Sequence, residues 1–154
     1  MRLTIAIREY RPDDCKETAD LFFNTVHTVN ASDYTREQLN VWATGRTDLA
    51  EWNKSLETHR SFVAVYENKI VGFGDVDESG YLDRLFVHKD FQRRGVATAV
   101  CDRLERCIQG KITVHSSVTA KAFFEKRGYT VTERQCAVRQ SIELPYFVMT
   151  KQLK

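Results

Sequence analysis

The feature that most constrains this chain is a short basic turn at residues 92–98, which reads QRRGVAT. Residues 81–87 before it are typical of a β-strand, and residues 96–109 after it have the apolar spacing of an amphipathic helix. The first N–H groups of a helix have no partner within the helix, and the helix dipole adds partial positive charge there. Because Gly95 has no Cβ, a ligand can approach the backbone closely. The turn therefore predicts a site for a phosphate-bearing cofactor.

The composition limits the classes of protein to which this chain can belong. The 154 residues fit one domain, residues 1–154, and a hydrophobic content of 42% is enough for a core. The 23 Lys and Arg nearly balance the 21 Asp and Glu, which argues against a general nucleic-acid-binding protein. The sequence has no apolar run long enough for a membrane span and no secretion signal at its start. We therefore expect a cytoplasmic protein without nucleic-acid or membrane partners.

The cysteines and histidines predict neither disulfides nor a metal site. The cysteines form no Cys-x-x-Cys pair, so we interpret all four as reduced thiols. The histidines are scattered without metal-ligand spacing, and we expect surface or partly buried residues. The residues concerned are Cys15, Cys101, Cys107 and Cys136, with His27, His59, His88 and His115.

Hydrophobic periodicity gives the order of elements. Strands are predicted at residues 4–9, 61–66, 69–75, 81–87, 111–115, 130–139 and 145–150. Helices are predicted at residues 12–29, 49–56, 96–109 and 118–127, with a further helix that begins after Thr35 as its N-cap. This order is typical of a single α/β or α+β layered arrangement.

Two sequence motifs carry a family resemblance. The apolar triplet at residues 85–87, then four residues, then Gln-x-x-Gly-x-Ala from residue 92 resembles the acetyl-CoA motif of the GNAT N-acetyltransferases. Residues 120–129, AKAFFEKRGY, resemble the second signature of that family, and the order of elements matches across essentially the whole chain. Residues 34–43 are also similar to a small bacterial subgroup described as YafP-like.

The resemblance implies a fold and an activity. The GNAT acyl-CoA N-acyltransferase fold is α/β (α+β), with a central mixed, mostly antiparallel twisted sheet of six or seven strands flanked by about four helices. The implied activity is transfer of acetyl from acetyl-CoA directly to a primary amine of an unidentified small molecule or protein. Family members are often dimers, so a homodimer is compatible with this interpretation. The expected cofactor contacts are Leu85, Phe86, Val87, Gln92, Arg93, Arg94, Gly95, Val96, Ala97, Thr98, Ser117 and Phe124.

The reaction also requires a base. The attacking amine must be neutral, whereas an alkyl ammonium has a pKa of about 10.4. The family's base often lies on the strand before the turn, where Tyr81 and Asp83 share one face and are the expected catalytic residues. Asp83 is the candidate base or water-positioning group. The alternative interpretation is that Asp83 pairs with Arg84 and orders the turn.

One position departs from the family pattern. The Tyr that commonly protonates the leaving thiolate is replaced by Phe124, which leaves Tyr129, Tyr146, Cys136 or water as candidates. The departure keeps open a second function, an acyl-CoA-binding sensor or partner-binding module with little catalysis. The resemblance assigns acceptor selection to the first two helices, their loop and the last strands. The residues expected to bind the acceptor are His27, Asn30, Tyr34, Trp42 and Tyr146, beside Phe147.

Overall fold

The computed structural model of the chain describes residues 4–153, so both ends of the predicted domain lie just outside the described residues. Seven strands form one sheet in the order β1-β2-β3-β4-β5-β7-β6. The strands are β1 (Ala6–Glu9), β2 (Arg60–Tyr66), β3 (Lys69–Val76), β4 (Tyr81–Val87), β5 (Lys111–Ser116), β6 (Thr130–Arg139) and β7 (Ile142–Gln152). The α-helices are α1 (Cys15–Thr28), α2 (Arg36–Trp42), α3 (Leu49–Thr58), α4 (Val96–Arg106) and α5 (Lys121–Lys126).

The predicted fold class is confirmed, and every predicted helix and strand is present. Thr35 caps α2 as expected, because its Oγ1 accepts the Gln38 N–H at 3.1 Å. The helix predicted at residues 118–127 is shorter, since the Ser117 Oγ accepts the Ala120 N–H at 3.1 Å in a preceding turn. No helix within residues 4–153 is long and apolar enough to cross a membrane.

The central pair of strands separates early. Strands β4 and β5 are parallel, and they pair only at Tyr81 with Thr113 and at Leu82 with Val114. Beyond this point β5 continues alongside β7, while β4 stays with β3. All other neighbouring strands are antiparallel. The separation opens a gap in the middle of the sheet.

A β-bulge shapes strand β4 near this gap. Val76 pairs with Leu82, and Asp75 pairs with Arg84, so Asp83 is the extra residue between the two pairs. A bulge bends its strand and redirects side chains, and bulges are common beside functional sites. Asp83 is accordingly exposed although its strand lies in the centre of the sheet.

Glycines on β3 bring α4 close to the sheet. A Cβ at Gly72 would lie 2.7 Å from the Val96 Cγ1, and a Cβ at Gly74 would lie 3.1 Å from both Val100 and Leu104 side chains. Larger residues at these positions would push the helix away. The close packing places the N-terminus of α4 beside the end of β4.

Glu105 joins α4 to the other end of the fold. Its carboxylate accepts hydrogen bonds from Arg127 Nε at 2.7 Å, Tyr129 OH at 2.8 Å and Lys151 Nζ at 3.0 Å. Burial opposes the charged form of Glu105, but these three donors outweigh it and lower the pKa of the carboxyl group. The network therefore links α4, the end of α5 and β7.

We expect Glu105→Ala to lower the free energy of unfolding by about 3 kcal/mol, because it leaves partly buried positive charge without a partner. Asp102 also pairs with Arg127, but its side chain is 49% exposed. We therefore expect Asp102→Ala to cost less than about 1 kcal/mol. Urea unfolding of both variants measures the difference. Equal losses would contradict the role given to Glu105.

Candidate functional site

A cleft of about 650 Å³ opens where β4 and β5 separate. The end of β4, the turn before α4, the end of α1 and the segment before α5 form its walls. Ten of the twelve predicted cofactor contacts line this cleft: Leu85, Phe86, Val87, Gln92, Arg93, Gly95, Val96, Ala97, Thr98 and Ser117.

The turn before α4 presents free backbone donors to the cleft. Gly95 is the N-cap of α4 with φ of 85°, and Arg93 also has positive φ, at 61°. The first backbone bond into the helix runs from Ala99 N–H to the Gly95 carbonyl at 3.0 Å. Within residues 4–153, the N–H groups of residues 93–98 donate to no backbone acceptor. Such clustered N–H groups form a concave anion site.

The shape of this turn leaves room for a ligand. A Cβ built on Gly95 would meet no atom within 4 Å, so the position faces open cleft. Gln92 fixes the turn against β4, since its Nε2 donates to the Val87 carbonyl at 2.7 Å. The donors are therefore held in place by the protein and are directed into accessible space.

Two predicted cofactor contacts lie elsewhere. Phe124 is 2% exposed and packs against Tyr129 in the core, with ring centroids 5.0 Å apart. The neighbouring Phe123 lines the cleft instead, because consecutive residues of α5 point in different directions. The ring of Phe124 thus faces the core, and the cofactor contact expected of it stays a prediction. Arg94 does not belong to the lining of the cleft either.

Two predicted acceptor contacts are also displaced. Asn30 is 5% exposed and lines the cofactor cleft rather than a separate acceptor site. His27 lines neither cavity, because its Nε2 lies 2.7 Å from the Ala43 carbonyl and its ring packs against Phe23. His27 therefore connects α1 to the end of α2, and the acceptor contact expected of it stays a prediction.

A second cavity, of about 260 Å³, adjoins the first. Ser117 lines both cavities, so they meet at the segment between β5 and α5. The predicted residues Tyr34, Trp42, Tyr81, Asp83 and Tyr146 all line the second cavity. The second cavity therefore meets the cofactor cleft just beyond the C-terminal end of β5.

Aromatic rings form much of this second cavity. Tyr81, His115 and Tyr146 lie side by side on β4, β5 and β7, with centroids 5.0 Å and 4.9 Å apart. We call these three rings the aromatic row. Tyr34 and Trp42 form a second edge-to-face pair at 5.3 Å. Flat walls of this kind favour a planar ligand.

The hydroxyl group of Tyr34 anchors this region. It accepts the Val118 N–H at 2.8 Å and donates to the Pro145 carbonyl at 3.1 Å. These contacts join the loop before α2 to the segment after β5 and to β7. Tyr34 therefore forms a fixed wall of the second cavity.

Asp83 and Tyr81 face the second cavity with different proton chemistry. Burial and the neighbouring Asp83 raise the pKa of Tyr81 to about 12. Its phenol is therefore protonated near neutral pH and can donate a hydrogen bond but cannot act as the base. The side chain of Asp83 is 31% exposed, and its nearest ion pair is with Arg84 Nη2 at 3.8 Å. The predicted alternative pairing with Arg84 is present, yet the carboxylate still faces the cavity.

A buried ion-pair network lies behind Asp83. The Oδ2 of Asp75, a fully buried residue, contacts His59 Nδ1 at 2.7 Å and the Arg84 guanidinium. Burial raises the pKa of the Asp75 carboxyl group, with His59 and Arg84 opposing that shift. Arg84 also stacks over the Trp52 ring, 4.7 Å from its centroid, and donates to Ser55 Oγ at 2.8 Å. The guanidinium is thereby held between the carboxylates of Asp75 and Asp83.

The fold assembles three possible metal ligands that linear spacing did not indicate. Ligand atoms of His59, Asp75 and Asp83 all lie within 4.8 Å of one another. Arg84 contacts both carboxylates and already supplies positive charge between them. We therefore interpret this group as an ion-pair network.

The structure narrows the candidates for the proton donor. Tyr129 is 3% exposed and donates its hydroxyl to Glu105, away from both cavities. Cys136 is exposed and lines neither cavity. Tyr146 lines the second cavity, where its hydroxyl donates to Gln135 Oε1 at 2.8 Å. Tyr146 and water therefore stay as candidates.

Sequence patterns did not predict five residues that line the second cavity, which are His115, Ala137, Arg139, Leu144 and Pro145. The place of His115 in a short strand, two residues before Ser117, is a signal that it lies near the cleft. Arg139 lines the cavity from the end of β6. Its placement depends on the pairing of β7 with β5, which brings the β6–β7 hairpin to the cavity and for which no local signal exists.

Comparison with known proteins gives consistent matches. A model for the acetyltransferase (GNAT) domain matches residues 30–152. The Escherichia coli (strain K12) protein named uncharacterized N-acetyltransferase YafP is 34% identical over 131 residues, which are 85% of each chain.

Solved structures show the same fold. A Rhodopseudomonas palustris structure, described as a GCN5-related N-acetyltransferase and as an aminotransferase, class-II, is 32% identical with a TM-score of 0.94. The match covers 99% of this chain and 98% of that one. The PaiA N-acetyltransferase of Thermoplasma acidophilum, solved in complex with coenzyme A, is 14% identical with a TM-score of 0.80. That match covers 98% of this chain and 100% of the other.

The His59–Asp75 pair predicts a pH-dependent stability. The hydrogen bond to Asp75 raises the pKa of His59 above its ordinary value of 6.5, against the effect of burial. The resulting stabilisation is fully present below about pH 6.5 and is lost as the pH rises through the raised pKa. We therefore expect the difference in unfolding free energy between wild type and His59→Gln to shrink between pH 6 and pH 9.

His88 provides a control of opposite sign, because burial and Lys69 lower its pKa. For His88→Gln, we expect the difference from wild type to grow as the pH rises towards 6.5. Urea unfolding at a series of pH values measures both. A His59→Gln difference that is constant with pH would contradict the proposed ion pair.

Proposed function

Because the chain belongs to the GNAT acetyltransferase family, we propose that it is an N-acetyltransferase that moves an acetyl group from acetyl-CoA directly to a primary amine. The observation that carries this proposal is the junction of two cavities at Ser117. One cavity has the donors for a phosphate-bearing cofactor, and the other has a carboxylate and aromatic walls. Direct transfer requires that two such sites meet.

The residues of the first cleft fit coenzyme A. The N–H groups of residues 93–98 suit its pyrophosphate, and Gly95 leaves the space that this group requires. Leu85 and Phe123 offer apolar walls for the pantetheine arm. Asn30 lines the same cleft, and its amide has no hydrogen-bond partner within residues 4–153, so we assign it a contact with that arm. The Thermoplasma structure of the same fold was solved with coenzyme A, which supports this cofactor for the cleft.

When bound, acetyl-CoA supplies a thioester whose C–S bond breaks as the C–N bond of the product amide forms. We assign to Asp83 the role of the base. It takes up the proton that the acceptor ammonium must lose, either directly or through a water molecule. Arg84, Asp75 and His59 hold that carboxylate in position from behind. Tyr146 or water is the candidate that returns a proton to the thiolate.

The alternative function, an acyl-CoA sensor with little catalysis, has less support. It rested on the replacement of a tyrosine by Phe124, and the side chain of Phe124 lies in the core rather than in the cleft. The second cavity with its exposed carboxylate has no evident purpose in a protein that only senses acyl-CoA.

Three sequence-based expectations accompany the proposal. One catalytic unit spanning residues 1–154 is consistent with the single seven-stranded sheet. A cytoplasmic location is consistent with four free cysteines. A homodimer would have the edge strand β6 available for pairing.

We expect Gly95→Glu to weaken acetyl-CoA binding by about a hundredfold or more, because an anionic side chain would enter the phosphate site. Gly110 is a matched control, since it has φ of 87° and equally open space at its Cβ but lies outside the cleft. Both substitutions carry a similar backbone strain of about 1–2 kcal/mol. Calorimetric titration with acetyl-CoA measures the effect. Equal affinities of Gly95→Glu and Gly110→Glu for acetyl-CoA would show that the cofactor does not bind at this turn.

We expect Asp83→Asn to lower kcat by about a hundredfold with a good amine acceptor, because the amide cannot accept the proton. The affinity for acetyl-CoA should be unchanged. Glu78→Gln removes an exposed charge from the turn before β4 and serves as the control. Thiol release gives kcat, and titration gives the affinity. Unaltered turnover in Asp83→Asn would show that water or another group is the base.

A further inference from the structure

The second cavity carries two opposite charges at separate places. Eleven residues line it, and among these Asp83 supplies a carboxylate and Arg139 supplies a guanidinium. Asp83 contacts Arg84 at 3.8 Å, whereas Arg139 has no ion pair within the described part of the chain. An unpaired guanidinium that lines a cavity is available for an anionic group of a ligand.

The strand order keeps these charges apart. Asp83 lies on β4 and Arg139 lies on β6, with β5 and β7 between them. The two residues therefore approach the cavity from strands on opposite sides of β5 and β7.

The space between the charges is bordered by aromatic rings. The aromatic row of Tyr81, His115 and Tyr146 crosses three adjacent strands, and Leu144 and Pro145 also line the cavity. Its volume of about 260 Å³ is below the range of about 300–1,000 Å³ that is common for drug-sized ligands. A small ligand with a planar body fits a cavity of this size and lining.

The cavity offers one guanidinium to an anionic group of a ligand. A guanidinium binds a carboxylate through two parallel hydrogen bonds. Arg139 is the one permanently cationic residue among those described around this cavity, whereas a phosphate dianion would favour a second cation.

We propose that the acceptor is a small amine whose primary amino group and carboxylate lie at opposite ends of a planar body. The amino group faces Asp83 beside the cofactor cleft, and the carboxylate binds Arg139. This inference rests on the proposed acetyl transfer and specifies the substrate class for the same site.

The test compares three probe amines in a thiol-release assay with acetyl-CoA. They are 4-(aminomethyl)benzoate, 4-(aminomethyl)benzamide and L-phenylalanine. The benzamide has an uncharged amide in place of the carboxylate. In L-phenylalanine the amino group and the carboxylate are attached to the same carbon. We expect kcat/KM for the benzoate to exceed that for the benzamide by about tenfold or more, which is the value of a charge-assisted hydrogen bond. L-Phenylalanine should be the poorer substrate of the two carboxylates.

Variants of two arginines on β6 show which residue causes the preference for the benzoate. We expect Arg139→Gln to raise KM for the benzoate about tenfold and to leave the benzamide unchanged. Arg134 is the matched control, because it is exposed on the same strand, lies over the Phe147 ring and does not line the cavity. Arg134→Gln should retain the preference for the benzoate.

The outcomes separate this inference from the proposed function. Equal rates for benzoate and benzamide, a preference for L-phenylalanine, or an unchanged KM in Arg139→Gln would overturn the substrate class. If no probe is acetylated, titration of 4-(aminomethyl)benzoate into the protein saturated with coenzyme A decides, and absence of binding overturns it as well. If the wild-type protein did not bind acetyl-CoA, the proposed function itself would be overturned.

Discussion

The arrangement of the site depends on where two parallel strands stop pairing. Strands β4 and β5 share two residue pairs, ending at Leu82 and Val114, and then separate. The unpaired end of β4 presents polar backbone groups in the middle of the sheet, where an amide-containing ligand arm can lie. The same separation leaves Ser117, just after β5, in contact with both cavities. A continuous pairing of these strands would close the cleft and divide the two sites.

Other packing contacts hold the phosphate site next to this gap in the sheet. The glycines of β3 let α4 lie directly on the sheet, so its free N–H groups stand next to the end of β4. Glu105 holds the other end of α4 against β7 through two cations and a phenol. The cofactor cleft is thus built mainly from backbone geometry, whereas the second cavity is built from side chains of five separate segments.

This difference explains what the sequence could predict. The cofactor turn, its glycine and the flanking strand and helix are encoded within about twenty adjacent residues, and local patterns are sufficient to find them. Asn30 and His27 lie three residues apart on or just after α1, and the sequence alone does not show that one faces the cleft and the other faces Ala43. The contributions of His115 and Arg139 depend on the long-range pairing of β5 with β7, which brings the β6–β7 hairpin beside β5. Family motifs likewise place Phe124 by alignment, whereas packing against Tyr129 decides where its ring points.

The bulge at Asp83 has a consequence for how this chain tolerates change in length. Side chains of a strand alternate between faces, so adding or removing one residue reverses every side chain beyond the change. A bulge is the exception, because its extra residue is left unpaired. Val76 pairs with Leu82 and Asp75 pairs with Arg84 on either side of Asp83, and Leu85 and Phe86 stay opposite Gly74 and Phe73. Deleting Asp83 would therefore remove the carboxylate and straighten β4 but leave Leu85 and Phe86 on their present faces. A change of one residue in length at this point would alter the chemistry of the second cavity and spare the lining of the cofactor cleft.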